Sequence, residues 1–259
     1  MEIFLQPDTW GALVTLTFLE IVLGIDNIIF ISIAANKLPE KLQKKATNIG
    51  LVLAMVLRIA LLFGISLLIA MNAPLFHIDF SWFKAGFTGQ ALILFAGGIF
   101  LLYKSTKEIH HKVEGHEDED TDGKPQKGYT LTQAIIQITL INIVFSFDSI
   151  LTAVGMTNGV EGAMVIMIAS VILSMIIMML FANPVGKFVN KHPTIQMLGL
   201  SFLILIGFML IAESAHLSHA KLFGEEIGVI PKGYLYFAIT FSLGVEMLNM
   251  RIRGSKKNH

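Results

Sequence analysis

Long apolar segments separated by short polar connections run through most of the chain. A helix needs about 20 consecutive apolar residues to cross the hydrocarbon core of a bilayer, and several segments approach or exceed that length. The pattern predicts an all-α membrane protein with seven transmembrane helices, at about residues 11–35, 48–71, 86–104, 132–156, 162–183, 195–214 and 233–250. A soluble helical core of this size would not need apolar runs this long.

Composition narrows the class of protein. Of the 259 residues, 54% are hydrophobic and only 15% are charged. The absence of cysteine excludes disulfides, thiolate metal sites and cysteine nucleophiles. A formal net charge of zero argues against a nucleic-acid partner. No basic segment precedes the first apolar run, so we expect no cleaved signal peptide and a first helix that serves as the targeting signal.

The distribution of Lys and Arg predicts the orientation. Fifteen of these residues fall on one side of a seven-span arrangement, and the other side holds only Lys84, Lys221 and Lys232. Because basic residues accumulate in cytoplasmic connections, we expect the N-terminus outside and the C-terminus in the cytoplasm. The expected location is a bacterial inner membrane, with the lipid bilayer as the surroundings.

The first and fourth spans repeat one motif. The first contains TLTFLEIVLGIDNIIFISIA and the fourth QITLINIVFSFDSILTAVG. Apolar residues in two membrane helices often match by chance. A matched Asp with polar residues at the same offsets rarely does. The ungapped alignment pairs Thr17 with Thr139, Glu20 with Asn142, Asp26 with Asp148, and Asn27 with Ser149.

Weaker matches extend this repeat. The third and sixth spans align from Gly98 and Gly207, and the second and fifth share a leading glycine, Gly50 and Gly162. The sequence thus predicts two three-helix repeats, at about 11–104 and 132–214, joined by an acidic cytoplasmic linker at about 105–130. A seventh helix follows at about 233–250. Because a three-span unit re-enters from the opposite side, the repeats are inverted, as in many secondary transporters.

Five acids lie inside the predicted spans, together with one base, Arg58. Each carboxylate at the bilayer centre costs at least about 2.5–3.5 kcal/mol on insertion scales, so these acids should face the protein interior. Carboxylates held close together must share protons or bind a cation. The acids are Glu20, Asp26, Asp148, Glu213 and Glu246.

The neighbours of these acids are oxygen donors. Oxygen ligands without sulfur or imidazole suit hard divalent ions such as Mg²⁺, Ca²⁺ or Mn²⁺. Gly24 and Ser146 precede the two Asp residues and could permit helix breaks that free backbone carbonyls. The candidate metal ligands are Asp26, Asp148, Glu20, Asn27, Asn142, Glu213, Ser149 and Glu246.

Structural roles compete with metal binding at several positions. Arg58 can neutralise one of the acids but cannot bind a cation itself. His110, His111 and His116 flank the acidic linker and could collect divalent ions, although a solvated charged loop explains them equally well. The 13 methionines lie mostly on apolar helices, which favours packing or lipid contact over soft-metal binding.

The motif pair LEIVLGIDNIIF and INIVFSFDSILT resembles the TerC family of integral membrane proteins. The seven-span plan and the charged linker match that family as well, so the resemblance covers nearly the whole chain. The family is similar to the LysE-type exporters, and members are implicated in manganese export. The resemblance therefore implies Mn²⁺ efflux, with Asp26 and Asp148 at the matching positions.

Three functions remain open at this stage. The first is a secondary transporter that exports a divalent cation, most plausibly Mn²⁺, by alternating access, with proton coupling through the acids and no prosthetic group. The second is a membrane scaffold or assembly factor whose buried acids pair helices. The third is an intramembrane aspartyl protease, which the sequence disfavours because Ile25 and Phe147 stand where such enzymes carry glycine. No other hydrolase or nucleotide-binding motif is present, so we expect no enzyme.

Overall fold

The computed structural model describes residues 7–64, 73–114, 130–157, 160 and 162–256. Seven helices lie in these ranges: α1 (Pro7–Asn36), α2 (Glu40–Phe63), α3 (Gly89–Glu114), α4 (Leu131–Thr157), α5 (Ala163–Lys191), α6 (Pro193–Leu217) and α7 (Lys232–Lys256). Four short strands complete the described part of the chain: β1 (Pro74–Asp79), β2 (Phe83–Thr88), β3 (Lys221–Leu222) and β4 (Glu225–Glu226).

Six of the described helices, α1 to α6, are long and apolar enough to cross a membrane. Their length follows from the bilayer, where backbone groups without water partners must bond within the segment. Each of the first six predicted spans overlaps one of these helices. Helix α2 begins at Glu40, eight residues before its predicted start, and α5 ends at Lys191, eight residues after its predicted end. The seventh predicted span corresponds to α7, a helix of 25 residues that is not among the six candidates.

The helices form two compact units. The first unit consists of α1, α2, α4 and α5, and the second of α3, α6, α7 and the strands. Each unit therefore draws helices from both predicted repeats. All four helices of the first unit contribute to one apolar core, which includes Ile31, Ala54, Ile138 and Met178.

In the second unit, α3 and α6 approach each other most closely at two glycines. A Cβ atom added to Gly98 would lie 2.7 Å from the carbonyl oxygen of Gly207, and one added to Gly207 would lie 3.0 Å from that of Gly98. Small residues allow this contact between membrane helices. The Ser214 hydroxyl of α6 also donates to the carbonyl oxygen of Ala91, at 2.6 Å.

The strands correct the prediction of a purely helical chain. They form one antiparallel sheet in the order β1-β2-β3-β4, in which Phe83 pairs with Leu222 across a long sequence separation. The turn between β3 and β4 uses Phe223 and Gly224, both with positive φ. The sequence concealed this turn because its first position, which usually holds Asn, Asp or Gly, holds a phenylalanine.

Helix α3 also extends into the residues assigned to the linker. Helix α3 continues to Glu114, ten residues beyond the predicted end of the third span. Within the extension Ser105 and Glu108 are buried, and they continue the buried face that includes Leu101 at helical spacing. Residues 115–129, with His116 and most of the acidic linker, lie outside the described residues.

Candidate metal centre

The two helices that carry the repeated motif, α1 and α4, contact each other inside the first unit. The backbone at Asp26 and Asp148 is helical, while their side chains lie outside the described part of the structure. Both helices run unbroken through the motif, so the predicted breaks at Gly24 and Ser146 are absent from these described segments. Gly24 serves packing instead, because a Cβ there would collide with the thioether of Met178.

Polar residues beside each aspartate are buried. Asn27 and Ser149, which directly follow the two aspartates, are 8% and 6% exposed. Asn142 is buried as well and donates from Nδ2 to the carbonyl oxygen of Ile138, at 2.9 Å. The side-chain oxygen of Asn27 is buried and has no hydrogen-bond partner among the described residues.

Arg58 of α2 joins the two motif helices. Its Nη2 atom lies 2.5 Å from each carboxylate oxygen of Glu20 on α1. The same nitrogen donates to the hydroxyl of Ser149 on α4, which in turn donates to the carbonyl oxygen of Ser146. Glu20 and Arg58 are each 5% exposed. A buried pair of this kind is held by mutual charge, since either ion alone would be strongly destabilising.

Two threonines at matching positions of the two motifs have buried hydroxyls without hydrogen bonds to the described part of the chain. The hydroxyls of Thr17 and Thr139, which the motif alignment pairs, are both buried and have no hydrogen-bond partner among the described residues. Buried hydroxyls are normally satisfied. The sequence alignment contained these threonines, but hydroxyls on a helix usually bond to their own backbone, so the alignment alone gave no reason to assign them to a site.

The remaining predicted ligands lie in the second unit. Glu213 is a partly buried residue of α6, and Glu246 is a partly buried residue of α7 whose Oε2 atom accepts from Asn249 at 3.4 Å. Their participation in one site with Asp26 and Asp148 stays a prediction. In the linker region, His110 lies 3.2 Å from Glu114 at the exposed end of α3.

A cavity of about 820 Å³ opens in the first unit between the ends of α1 and α5 and the start of α2. Hydroxyl and amide groups line it, among them Ser32 and Asn183. Charged side chains line it as well: Glu40, Lys44, Lys187 and Lys191. Ser32 follows Asp26 by six residues, which is about 9 Å along a helix axis. The cavity thus leads from the end of the unit toward the level of the first motif.

Around the motifs, the described side chains of the first unit provide oxygen donors. They also include the Glu20–Arg58 ion pair, whose two charges cancel. Among the described side chains, no group of three His, Asp or Glu residues is arranged to hold a metal ion. Carboxylate, amide and hydroxyl oxygens are the donors that hard divalent cations prefer.

Comparison with known proteins identifies the family. The sequence profile described as "Integral membrane protein TerC family" matches residues 5–259. The chain belongs to the TerC family. This confirms the resemblance carried by the two motifs, and TerC membership together with the six apolar helices makes the chain an integral membrane protein.

Two curated relatives come from Escherichia coli K12. The chain is similar to the UPF0053 inner membrane protein YoaE, with 43% identity over 261 residues that cover all of the chain and 46% of the relative, so it spans about half of that protein. It is 44% identical to the UPF0053 inner membrane protein YgdQ, covering 97% of the chain and 96% of the relative.

A third relative is a UPF0053 protein of Haemophilus influenzae, 42% identical, with 96% of both chains covered. No solved structure matches the chain significantly. The names of YoaE and YgdQ give a location, the inner membrane, and no substrate.

Proposed function

We propose that this TerC protein is a secondary transporter that exports a divalent metal cation, with Mn²⁺ as the leading substrate. The observation that carries the proposal is the contact between α1 and α4, which brings the helices of the two aspartate motifs into one unit. Buried oxygen-bearing side chains, such as Asn27 and Asn142, accompany both motifs.

Electrostatics favours a cation as the ligand. Two ionised carboxylates held about 4 Å apart would repel each other by about 4 kcal/mol at an effective dielectric of about 20. A bound divalent cation removes that repulsion, and so does protonation. Alternation between the two states gives a route for exchange, in which protons replace the metal after its release.

The choice of Mn²⁺ rests on two arguments of different kind. The donor chemistry at the motifs is hard oxygen, which suits Mg²⁺, Ca²⁺ and Mn²⁺ alike. The resemblance to a family implicated in manganese export selects Mn²⁺ from that group. Export follows from the same resemblance, and the cavity that reaches Ser32 offers the ion an aqueous approach from the end of α1 that the lysine distribution makes cytoplasmic.

We also propose the inverted three-helix repeats as the basis of alternating access. Burial supports a repeat: every buried residue of α2 has a buried counterpart in α5 whose number is higher by 120, as in Ala54 with Ser174 and Arg58 with Met178. The leading glycines Gly50 and Gly162 had suggested a difference of 112. The burial pattern gives the better alignment of α2 with α5, because it records which helix face packs against the protein, whereas the glycines match only one residue type.

The proposal is tested by metal export from cells that express Asp26→Asn or Asp148→Asn. We expect both variants to lose Mn²⁺ tolerance and to accumulate cellular manganese, because an amide keeps the shape but not the charge. Asp79→Asn is the matched control, since Asp79 is an exposed residue of β1. Wild-type export by both motif variants, at equal protein levels in the membrane, would refute the proposal.

A further inference from the structure

The pairing of Glu20 with Arg58 bears on which acids of the first unit meet the transported ion. Four charged residues of this unit lie inside the predicted spans: Glu20, Asp26, Arg58 and Asp148. Their formal charges give a net value of −2. Both oxygens of Glu20 lie 2.5 Å from Arg58, so the charge of Glu20 is already cancelled.

We propose that Glu20 is a positioning residue and not a metal ligand, and that Arg58 neutralises it so that the two aspartates alone present a charge of −2. A divalent cation cancels that charge completely. The inference rests on the proposed function, and it makes the Glu20–Arg58 pair a determinant of the valence of the ion that the site accepts.

Geometry supports a positioning role. Arg58 comes from α2, Glu20 from α1 and Ser149 from α4, and one nitrogen of Arg58 contacts both of the other side chains. Ser149 directly follows Asp148, so the contact fixes the rotation of α4 beside that aspartate. Glu20 precedes Asp26 by six residues, which turns its side chain about 120° away from that of Asp26 on an ideal helix.

The second repeat has no counterpart of Arg58, and the burial pattern explains why. The position in α5 that corresponds to Arg58 by the 120-residue relation is Met178, and the motif residue that corresponds to Glu20 is Asn142. The second repeat therefore lacks both members of the ion pair. An acid and its base are absent together, which is expected when the base exists to balance the acid.

The test compares Glu20→Gln with the double variant Glu20→Gln/Arg58→Gln in purified protein. Binding of Mn²⁺ and of Gd³⁺, a trivalent ion with the same preference for oxygen, is measured by calorimetry. Glu20→Gln leaves an uncompensated Arg58. For an ion held at the level of Asp26, about 9 Å along the helix from Glu20, the unpaired charge would lower the affinity by roughly twenty-fold per unit of cation charge at an effective dielectric of about 20.

We expect Glu20→Gln to weaken both ions, and to lower the ratio of Gd³⁺ to Mn²⁺ affinity by roughly twenty-fold. The double variant should restore that ratio and bind Mn²⁺ within about three-fold of wild type. A purely structural role would weaken both ions in equal proportion and leave the ratio unchanged, which would overturn the inference. Loss of Mn²⁺ binding in the folded double variant would also overturn it, because it would make Glu20 a ligand.

Glu20→Gln buries an unpaired arginine, which destabilises the fold and can prevent recovery of the variant. In that case the comparison of wild type with the double variant decides alone, because removal of both charges leaves no buried ion. Asp26→Asn and Asp148→Asn are measured in parallel. Retained Mn²⁺ binding in those variants contradicts the proposed function, whereas lost binding there and in the double variant contradicts only this inference.

Discussion

The contact between α3 and α6 at Gly98 gives a quantitative prediction. In the substitution Gly98→Ala, the new methyl group would lie 2.7 Å from the carbonyl oxygen of Gly207 and 2.7 Å from a side-chain carbon of Ile211. A backbone carbonyl inside a helix cannot rotate away. The two helices must therefore separate by several tenths of an ångström along their contact.

The expected cost is the balance of two effects. Overpacking a tight contact destabilises a protein by about 1–3 kcal/mol. Replacing glycine by alanine inside a helix stabilises it by about 0.5–1 kcal/mol. The net effect is a loss of about 1 kcal/mol in the free energy of unfolding. Gly244→Ala is the control, because a Cβ atom added to Gly244 meets nothing within 4 Å among the described residues. Gly244→Ala should therefore show only the stabilisation that alanine brings to a helix.

Unfolding of both variants in detergent micelles, followed by far-UV circular dichroism during denaturant titration, measures the difference. We expect Gly98→Ala to unfold at a lower denaturant concentration than wild type and Gly244→Ala at an equal or higher one. Combining Gly98→Ala with Gly207→Ala should cost less than the two single changes together, because one separation of the helices relieves both contacts. Equal stability of Gly98→Ala and Gly244→Ala would refute the close approach.

Three further predictions use the same unfolding assay. Gly50→Ala in α2 should destabilise the first unit by about 1 kcal/mol, since its Cβ would lie 2.5 Å from Ile138; stability above wild type would contradict the α2–α4 contact. Ser214→Ala should cost about 1 kcal/mol through the lost bond to Ala91, and no loss would contradict that bond. Lys84→Gln should change stability by less than about 1 kcal/mol, because its ion pair is exposed; a larger loss would reveal a structural role.

The predicted spans overlap the observed helices because a bilayer allows an apolar segment few backbone conformations. A long apolar segment that carries its own backbone hydrogen bonds must be a helix, whatever surrounds it. The same constraint made the acids conspicuous, because a carboxylate in such a segment needs a partner. The family assignment followed from the two motifs around Asp26 and Asp148, and the profile match confirms it.

The partners of those residues could not be predicted in the same way. Glu20 and Arg58 are 38 residues apart, and Arg58 and Ser149 are 91 apart, so their contacts depend on how helices dock. The sequence offered Arg58 as a counter-charge without identifying its acid. Helix docking in a membrane depends on shape and small residues rather than on apolar content, and apolar content is what a hydropathy pattern records.

The sequence by itself determined that the chain crosses a membrane, the order and approximate centres of its apolar helices, and that one acidic motif occurs twice. Only the tertiary structure decided that the compact units cut across the predicted repeats, that Glu20 pairs with Arg58, and that a small sheet joins Phe83 to Leu222. The first group of features depends on residues close together in the chain and on the solvent around them. The second depends on contacts between distant segments, which form only when particular surfaces meet.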